Sequence, residues 1–257
     1  MAAGAPLRQP TALVLLPGLD GTDVFFRPLI AALPDWIEPR VVHFPPEGVN
    51  DYPALLSLVR AALADIPYCY VLGSSFAGPL ALMAACAEPD KIRGVVLSTT
   101  FVTAPRPTYT RLKFAAVTPA IWMLRACRRI PVWLSHGPVD QFRLDKAETW
   151  KRVSARMVAA RIRTLLEVDA RDLLRRCPQP VLCLAGTNDG VVPGRNVDEM
   201  KRVRPSVEVR MIEGCHFALY KNAGPAGAII RRFVADVEAR HRQSAGRHAG
   251  VHRLVSG

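Results

Sequence analysis

The 257-residue chain reads as an α/β protein: a mostly parallel sheet of about six strands, helices on both faces and a helical cap. Short, uniformly apolar runs recur along it, as strands buried on both faces require. Segments with helical spacing separate these runs. Turns rich in Gly, Ser and Asp directly follow several of the runs: "PGLDGT" (17–22), "GSSFAG" (73–78), "GTNDG" (186–190) and "EGCHF" (213–217). In a parallel sheet those turns share the carboxyl edge, where ligands bind.

The elements follow in order. "TALVLLPG" (11–18) predicts the first strand and "DVFFRPLIAAL" (23–33) a helix. "RVVHFP" (40–45) predicts a second strand, stopped by two prolines. "DYPALLSLVRAALADI" (51–66) is an amphipathic helix with Asp51 as N-cap and Pro53 in its first turn. "YCYVLGS" (68–74) is a strand, "AGPLALMAACAE" (77–88) a helix and "IRGVVLSTT" (92–100) a strand. From Phe101 to Cys177 no segment reads as a strand, while 111–129 and 144–170 read as helices. Alternation then resumes with strands at 179–186 and 206–214 and helices at 194–203 and 224–240. Residues 11–101 and 178–240 are expected to form the core, 102–177 a helical cap insertion, and the polar segment 241–257 a disordered basic tail.

Composition narrows the function. Half of the residues are hydrophobic, enough for a sizeable core. No apolar run approaches the ~18–20 residues of a membrane span, and "MAAGAPLRQP" has no secretory h-region. A cytoplasmic location is expected. The 6 cysteines form no C-x-x-C pair and lie mostly in apolar runs, which points to reduced thiols and to no metal or other cofactor. The net charge of +12 favours acidic partners. No aromatic residues interleave with the basic ones, so no nucleic acid is expected.

The chemistry concentrates in three of the loops. A serine hydroxyl needs a general base to act as a nucleophile, and a tight strand-to-helix turn can project it toward substrate. Ser75 has Gly73 two residues before it and Ala77 two after. Ser74 would have Leu72 and Phe76 there, with no small residue for the turn. His216 directly follows the last strand, and imidazole suits base and acid duty near neutrality. His43 lies in a predicted strand and is expected to be packed, His136 falls in the insertion, and His241, His248 and His252 fall in the tail. Asp189 follows the fifth strand and could orient the imidazole. Taken singly, "GSSFAG" could be a helix-capping turn and Asp189 part of an Asp-Gly turn. The chain order Ser…Asp…His favours the catalytic reading. Oxyanion donors are expected from the Phe76 amide and, in "PGLDGT", from the Leu19 amide. Asp20 and Thr22 are expected to brace that loop.

Together "LLPGLDGT", "GSSFAGPLAL", "PVLCLAGTNDGVVP" and "IEGCHF" resemble the α/β-hydrolase superfamily across residues 11–240. The resemblance implies a Ser75–His216–Asp189 triad, an oxyanion hole of the Leu19 and Phe76 amides, and a helical cap over the site. Ala77 replaces the last glycine of G-x-S-x-G, which predicts slight strain in the turn. Pro17-Gly18 stands where the family usually has His-Gly, and the family's first hairpin has no counterpart before residue 11. A serine nucleophile implies ester or thioester hydrolysis of a small-molecule substrate through an acyl-serine.

An acyltransferase with an alcohol acceptor would use the same triad, and the "PGLDGT" loop is similar to that of plastid-type ester synthases. The architecture is also similar to small capped carboxylesterases. The basic residues Arg125, Arg128, Arg129, Lys151, Arg152, Arg156, Arg161 and Arg163 suggest steering of an acidic or phosphate-bearing acyl carrier. Trp122, Met123, Trp133, Phe142 and Trp150 could line an acyl pocket.

Overall fold

A computed structural model describes residues 10–106 and 140–255. Six strands form one sheet: β1 (Thr11–Leu16), β2 (Ile37–Val41), β3 (Cys69–Ser74), β4 (Ile92–Ser98), β5 (Val181–Gly186) and β6 (Glu208–Ile212). Their order is β2-β1-β3-β4-β5-β6, and every neighbouring pair is parallel. The uniform apolar character of β1, β3 and β5 follows from burial on both faces.

One face carries Val14, Leu16, Val71, Leu97 and Cys183. It is covered by α2 (Tyr52–Ala62), α3 (Gly78–Ala87), α6 (Arg171–Arg176) and α7 (Arg195–Val203). The other carries Leu13, Leu15, Tyr70, Leu72, Val96 and Leu184. There α1 (Arg27–Ala32), α8 (Ala218–Lys221) and α9 (Ala223–Val255) close the core. α3 is apolar on all sides because it is buried on nearly all sides, from Gly78 through Ala85. Asp51 caps α2, accepting from the Ala54 amide at 2.9 Å. Across the sheet, Tyr70 Oη donates to Glu238 at 3.0 Å and Arg93 donates to the same carboxylate at 2.9 Å, which ties α9 to β3 and β4.

Several boundaries differ from the sequence reading. β2 begins at Ile37, earlier than expected, because its Pro39 is tolerated on an edge strand. His43 therefore lies beyond the strand and is exposed, while its neighbours Val42 and Phe44 turn inward. The stretch read as one helix over 144–170 is two: α4 (Gln141–Arg152) and α5 (Ala155–Leu166). Val153 is extended, and Ser154 restarts the helix by accepting from the Met157 amide at 3.1 Å. α9 continues to Val255, through the segment read as a disordered tail. No proline interrupts that segment after Pro225, and Ala, Arg and Gln are good helix formers.

The segment inserted between β4 and β5 leaves and re-enters the core at one point. The Ala170 amide donates to the Val102 carbonyl at 2.7 Å, and Thr103 bridges Asp169. α6 lies after that point and packs on the sheet layer, with Leu174 fully buried. α4 packs against the turn Val24–Phe26, helped by Arg27 gripping Glu148 with two donors at 2.9 and 3.0 Å. The helix expected at 111–129, with Trp122, Met123, Arg125, Arg128 and Arg129, lies outside the described residues, as do Trp133 and His136. Among the described residues no helix is long and apolar enough to cross a membrane, and Cys69, Cys86, Cys177, Cys183 and Cys215 are free thiols.

Candidate active site

β3 ends at Ser74 and α3 begins at Gly78, so the chain reverses over three residues, Ser75–Ala77. Ser75 absorbs the reversal at φ 52, a left-handed conformation that costs a non-glycine residue energy and persists only where its surroundings hold it. Ala77 has φ −85 and ψ 1, an ordinary conformation for alanine. The strain expected at Ala77 is thus carried by Ser75. The close approach falls at Gly73, where an added Cβ would lie 2.8 Å from the Ala77 carbonyl carbon and 2.9 Å from the Ala81 Cβ. Gly73→Ala is expected to lower the unfolding free energy by about 1–3 kcal/mol, read as a lower urea midpoint at unchanged slope.

The turn is braced through its carbonyls. Thr100, just past β4, donates its hydroxyl to the Ser75 carbonyl. Gly78 leaves the room for it, since a Cβ there would press on the Thr100 side chain. Tyr52 Oη donates to the Phe76 carbonyl at 2.8 Å, and its ring stacks on Phe76 at 5.0 Å. In a planar trans peptide the C=O and N–H point opposite ways. Holding the Ser75 carbonyl therefore aims the Phe76 N–H away from Thr100.

The loop after β1 lies against this turn. A Cβ built on Gly18 would be 3.7 Å from the Ser75 Cβ. The Gly21 amide donates to the Gly18 carbonyl at 3.0 Å, which fixes the opposite side of that peptide, the Leu19 N–H. Thr22 donates to Asp20 Oδ2 from both its amide and its hydroxyl. Burial raises the Asp20 carboxyl above the usual carboxylate range, against the pull of these hydrogen bonds. The Leu19 amide donates to no backbone acceptor in the turns and loops described.

The loops after β5 and β6 bring in the other two side chains. They are joined by the Asn188 amide to the Gly214 carbonyl at 2.9 Å and the Gly214 amide to Thr187 Oγ1 at 3.1 Å. Ser75 Oγ lies 2.9 Å from His216 Nε2, and His216 Nδ1 lies 2.8 Å from Asp189 Oδ2. The other Asp189 oxygen, Oδ1, accepts from the Val191 and Val192 amides, each at 2.8 Å. The Asp189 side chain is 4% exposed and that of His216 13%, so the carboxylate is shielded while the imidazole retains an open side. The structure thus brings Ser75, His216 and Asp189 into one chain of hydrogen bonds, with the loops that carry the Phe76 and Leu19 amides beside it.

Beside His216 stands an aromatic cluster. The Phe217 ring lies 4.9 Å from both Phe25 and Phe142, and Phe142 lies 5.3 Å from Tyr220. Tyr220 Oη donates to the buried Asp145 at 2.6 Å, fastening α4 to α8. Of the residues read as an acyl pocket, Phe142 belongs to this cluster and Trp150 is half-buried on α4.

The basic residues of α4 and α5 do not form one face. Lys151, Arg152, Arg156 and Arg163 are exposed, Arg152 pairs with Asp23 and Glu148, and Arg161 is fully buried. Sequence reasoning missed Thr100, Tyr52 and the inward direction of Arg161. The signal for Arg161 was its spacing: Met157, Arg161 and Leu165 repeat every four residues along one buried stripe.

Comparison with known proteins supports the same architecture. A family model described as the alpha/beta hydrolase family matches residues 12–224. An sn-1-specific diacylglycerol lipase, ABHD11, of Xenopus laevis is 25% identical over 239 residues, covering 82% of this chain and 74% of that protein. Among solved structures, a carboxylesterase of the thaumarchaeon Nitrososphaera gargenis superposes with a TM-score of 0.72 at 19% identity, covering 90% of this chain and 92% of that one. MenH from S. aureus superposes with a TM-score of 0.73 at 16% identity, covering 92% and 97%. These two likenesses are of fold. With the family model spanning β1 to the start of α9 and the sheet order described above, the chain belongs to the alpha/beta hydrolase family.

Proposed function

We propose that the protein hydrolyses carboxylic esters through an acyl-serine intermediate, with Ser75 as nucleophile, His216 as general base and acid, and Asp189 as the group that orients His216. The observation that carries this reading is the Ser75–His216–Asp189 relay, at 2.9 and 2.8 Å, on the carboxyl edge of the sheet. His216 Nε2 takes the Ser75 proton as Oγ attacks the ester carbonyl. The carbonyl electron pair moves onto oxygen, which the Phe76 and Leu19 amides stabilise. The intermediate collapses, His216 returns the proton to the departing alkoxide, and an alcohol leaves. Water then attacks the acyl-serine with His216 again as base. The acid departs and Ser75 regains its proton. Asp189 holds the Nδ1–H of His216 throughout and stabilises the imidazolium.

The aromatic cluster of Phe25, Phe142, Phe217 and Tyr220 offers an apolar wall beside His216. This suits an ester with an apolar acyl or alcohol group, in keeping with the diacylglycerol lipase relative. The test is labelling with a fluorophosphonate, followed by turnover of p-nitrophenyl esters of rising chain length and of diacylglycerol, with and without an added alcohol. The expected result is one labelled serine, Ser75, and release of free acid in every reaction. A transferred ester in place of free acid would make the enzyme an acyltransferase, and absence of label on Ser75 would overturn the reading.

Thr100→Val tests the bracing of the nucleophile turn. It removes the side-chain donor to the Ser75 carbonyl, which then keeps only its hydrogen bond from the Gly78 amide, and this costs about 0.5–1.5 kcal/mol of stability. With one of its two hydrogen bonds gone, the peptide also holds the Phe76 N–H less firmly. We expect kcat to fall by about tenfold with KM nearly constant, since the amide acts mainly in the transition state. Steady-state kinetics beside a urea titration separate the two effects.

A further inference from the structure

The largest fully buried side chain among the described residues is a cation, Arg161 on α5. Its guanidinium reaches two loops at the sheet edge. Nη1 donates to the Leu19 carbonyl at 2.8 Å, in the loop after β1. Nη2 donates to the Pro45 carbonyl at 3.0 Å and to Asn50 Oδ1 at 2.8 Å, and Nε donates to Asn50 Oδ1 at 3.1 Å, in the loop after β2. All of these acceptors are uncharged. Asp20 acts on the guanidinium only through space, and burial pushes the Arg161 pKa down to about 10, which leaves it charged at neutral pH.

The surroundings are shaped to this group. Gly21, at φ +69, has its bare Cα against the fork, and a Cβ there would sit 2.6 Å from Nη1. The guanidinium also lies 5.5 Å from the Phe44 ring, and Phe44 meets Phe76 edge-on at 6.1 Å. Burying a charge without a carboxylate partner is costly. Apolar side chains could have filled the space, so its retention calls for something only a planar, multi-donor fork supplies.

We propose that Arg161 is a positioning residue of the oxyanion hole: it ties the Leu19–Asp20 peptide to the loop after β2 while the Gly21-to-Gly18 hydrogen bond holds the preceding peptide, so that Leu19 is clamped on both sides and its amide stays aimed at the space in front of Ser75 Oγ. The inference rests on the acyl-serine reading above. It makes α5 a strut from the inserted segment to the oxyanion loop, so the rate of the chemical step depends on a residue that never touches substrate.

The test is Arg161→Met, which keeps an unbranched stem and removes every donor. Active sites are counted with a fluorophosphonate. Then kcat and KM are measured for a p-nitrophenyl ester, together with Ki for an arylboronic acid. The boronic acid accepts an electron pair from Ser75 Oγ as His216 Nε2 takes the hydroxyl proton, giving a tetrahedral anion whose oxygen occupies the hole. With one of two donors misaligned, kcat per titrated site should fall by about 10- to 100-fold. KM should stay within about threefold, and Ki should rise by the same factor as kcat falls. A merely structural role would lower the number of titrated sites and leave kcat per site and Ki unchanged. Should Arg161→Met give no cooperative melt, Arg161→Lys is measured instead, since it keeps the charge and most of the stem. A loss in kcat per site of threefold or more, matched in Ki, supports the proposal, and a smaller one overturns it. Wild-type enzyme that neither labels at Ser75 nor binds the boronate would overturn the acyl-serine reading itself, a result separate from any behaviour of the variants.

Discussion

Ser75→Ala is expected to lower kcat by about 10⁶-fold, and His216→Ala by a similar factor, while the double variant is no slower than either alone. The reason is the direct contact between Ser75 Oγ and His216 Nε2. Without the hydroxyl the imidazole has no proton to take. Without the imidazole the hydroxyl is too weak a nucleophile. Each substitution therefore disables the same step, and their effects cannot add. A residual rate about 10³–10⁴ above water should survive in all three, because the Phe76 and Leu19 amides and the binding surface are untouched. The measurement is kcat for one p-nitrophenyl ester across the four enzymes, with fluorophosphonate labelling as the control for contaminating esterase. Additive losses in the double variant would mean that the two residues act in separate steps, and the relay would have to be abandoned.

Asp189→Asn should lower kcat by about 10⁴-fold with the fold intact. The hydrogen-bond pattern around Asp189 makes the sign and the cause specific. Oδ1 accepts from two backbone amides, Val191 and Val192, while Oδ2 faces His216 Nδ1. An asparagine must keep its oxygen toward the two amides, because its NH2 group cannot accept from them. Its NH2 then points at Nδ1, which has to become an acceptor, so the ring proton moves to Nε2. In that tautomer His216 cannot take the proton of Ser75. The loop bonds that hold residues 189–192 remain, so the thermal midpoint should move little. An Asp189→Asn enzyme within tenfold of wild-type kcat would show that this carboxylate does not set the tautomer.

Much of the core was legible in the chain itself. β1, β3, β4 and β5 are short, apolar and closed by turn residues, because strands buried on both faces have no polar alternation to confuse the reading. The loops that carry Ser75, Asp189 and His216 were legible for the same reason. A parallel sheet sends every strand's carboxyl end to one edge, so a residue placed just after a strand is already placed in space. Boundaries set by long-range context were harder to read. Pro39 argues against a strand until one knows that β2 is at the edge. Val153 and Ser154 break a helix with neither glycine nor proline, so local propensity gave no warning.

The sequence alone determined the fold class, the order of the elements and which serine has the small neighbours a sharp turn needs. These are local properties: periodicity, turn chemistry and the size of adjacent side chains. Only the tertiary structure decided that Ser75 rather than Ala77 takes the left-handed backbone, that Thr100 and Tyr52 hold the carbonyls on either side of Phe76, and that Arg161 points inward. Arg161 meets Leu19 across 142 residues of chain. Read along the sequence, it is one more cation on a basic helix. Folding turns it toward the core, because the helix face that carries it must be buried and three loop acceptors wait there to satisfy its charge.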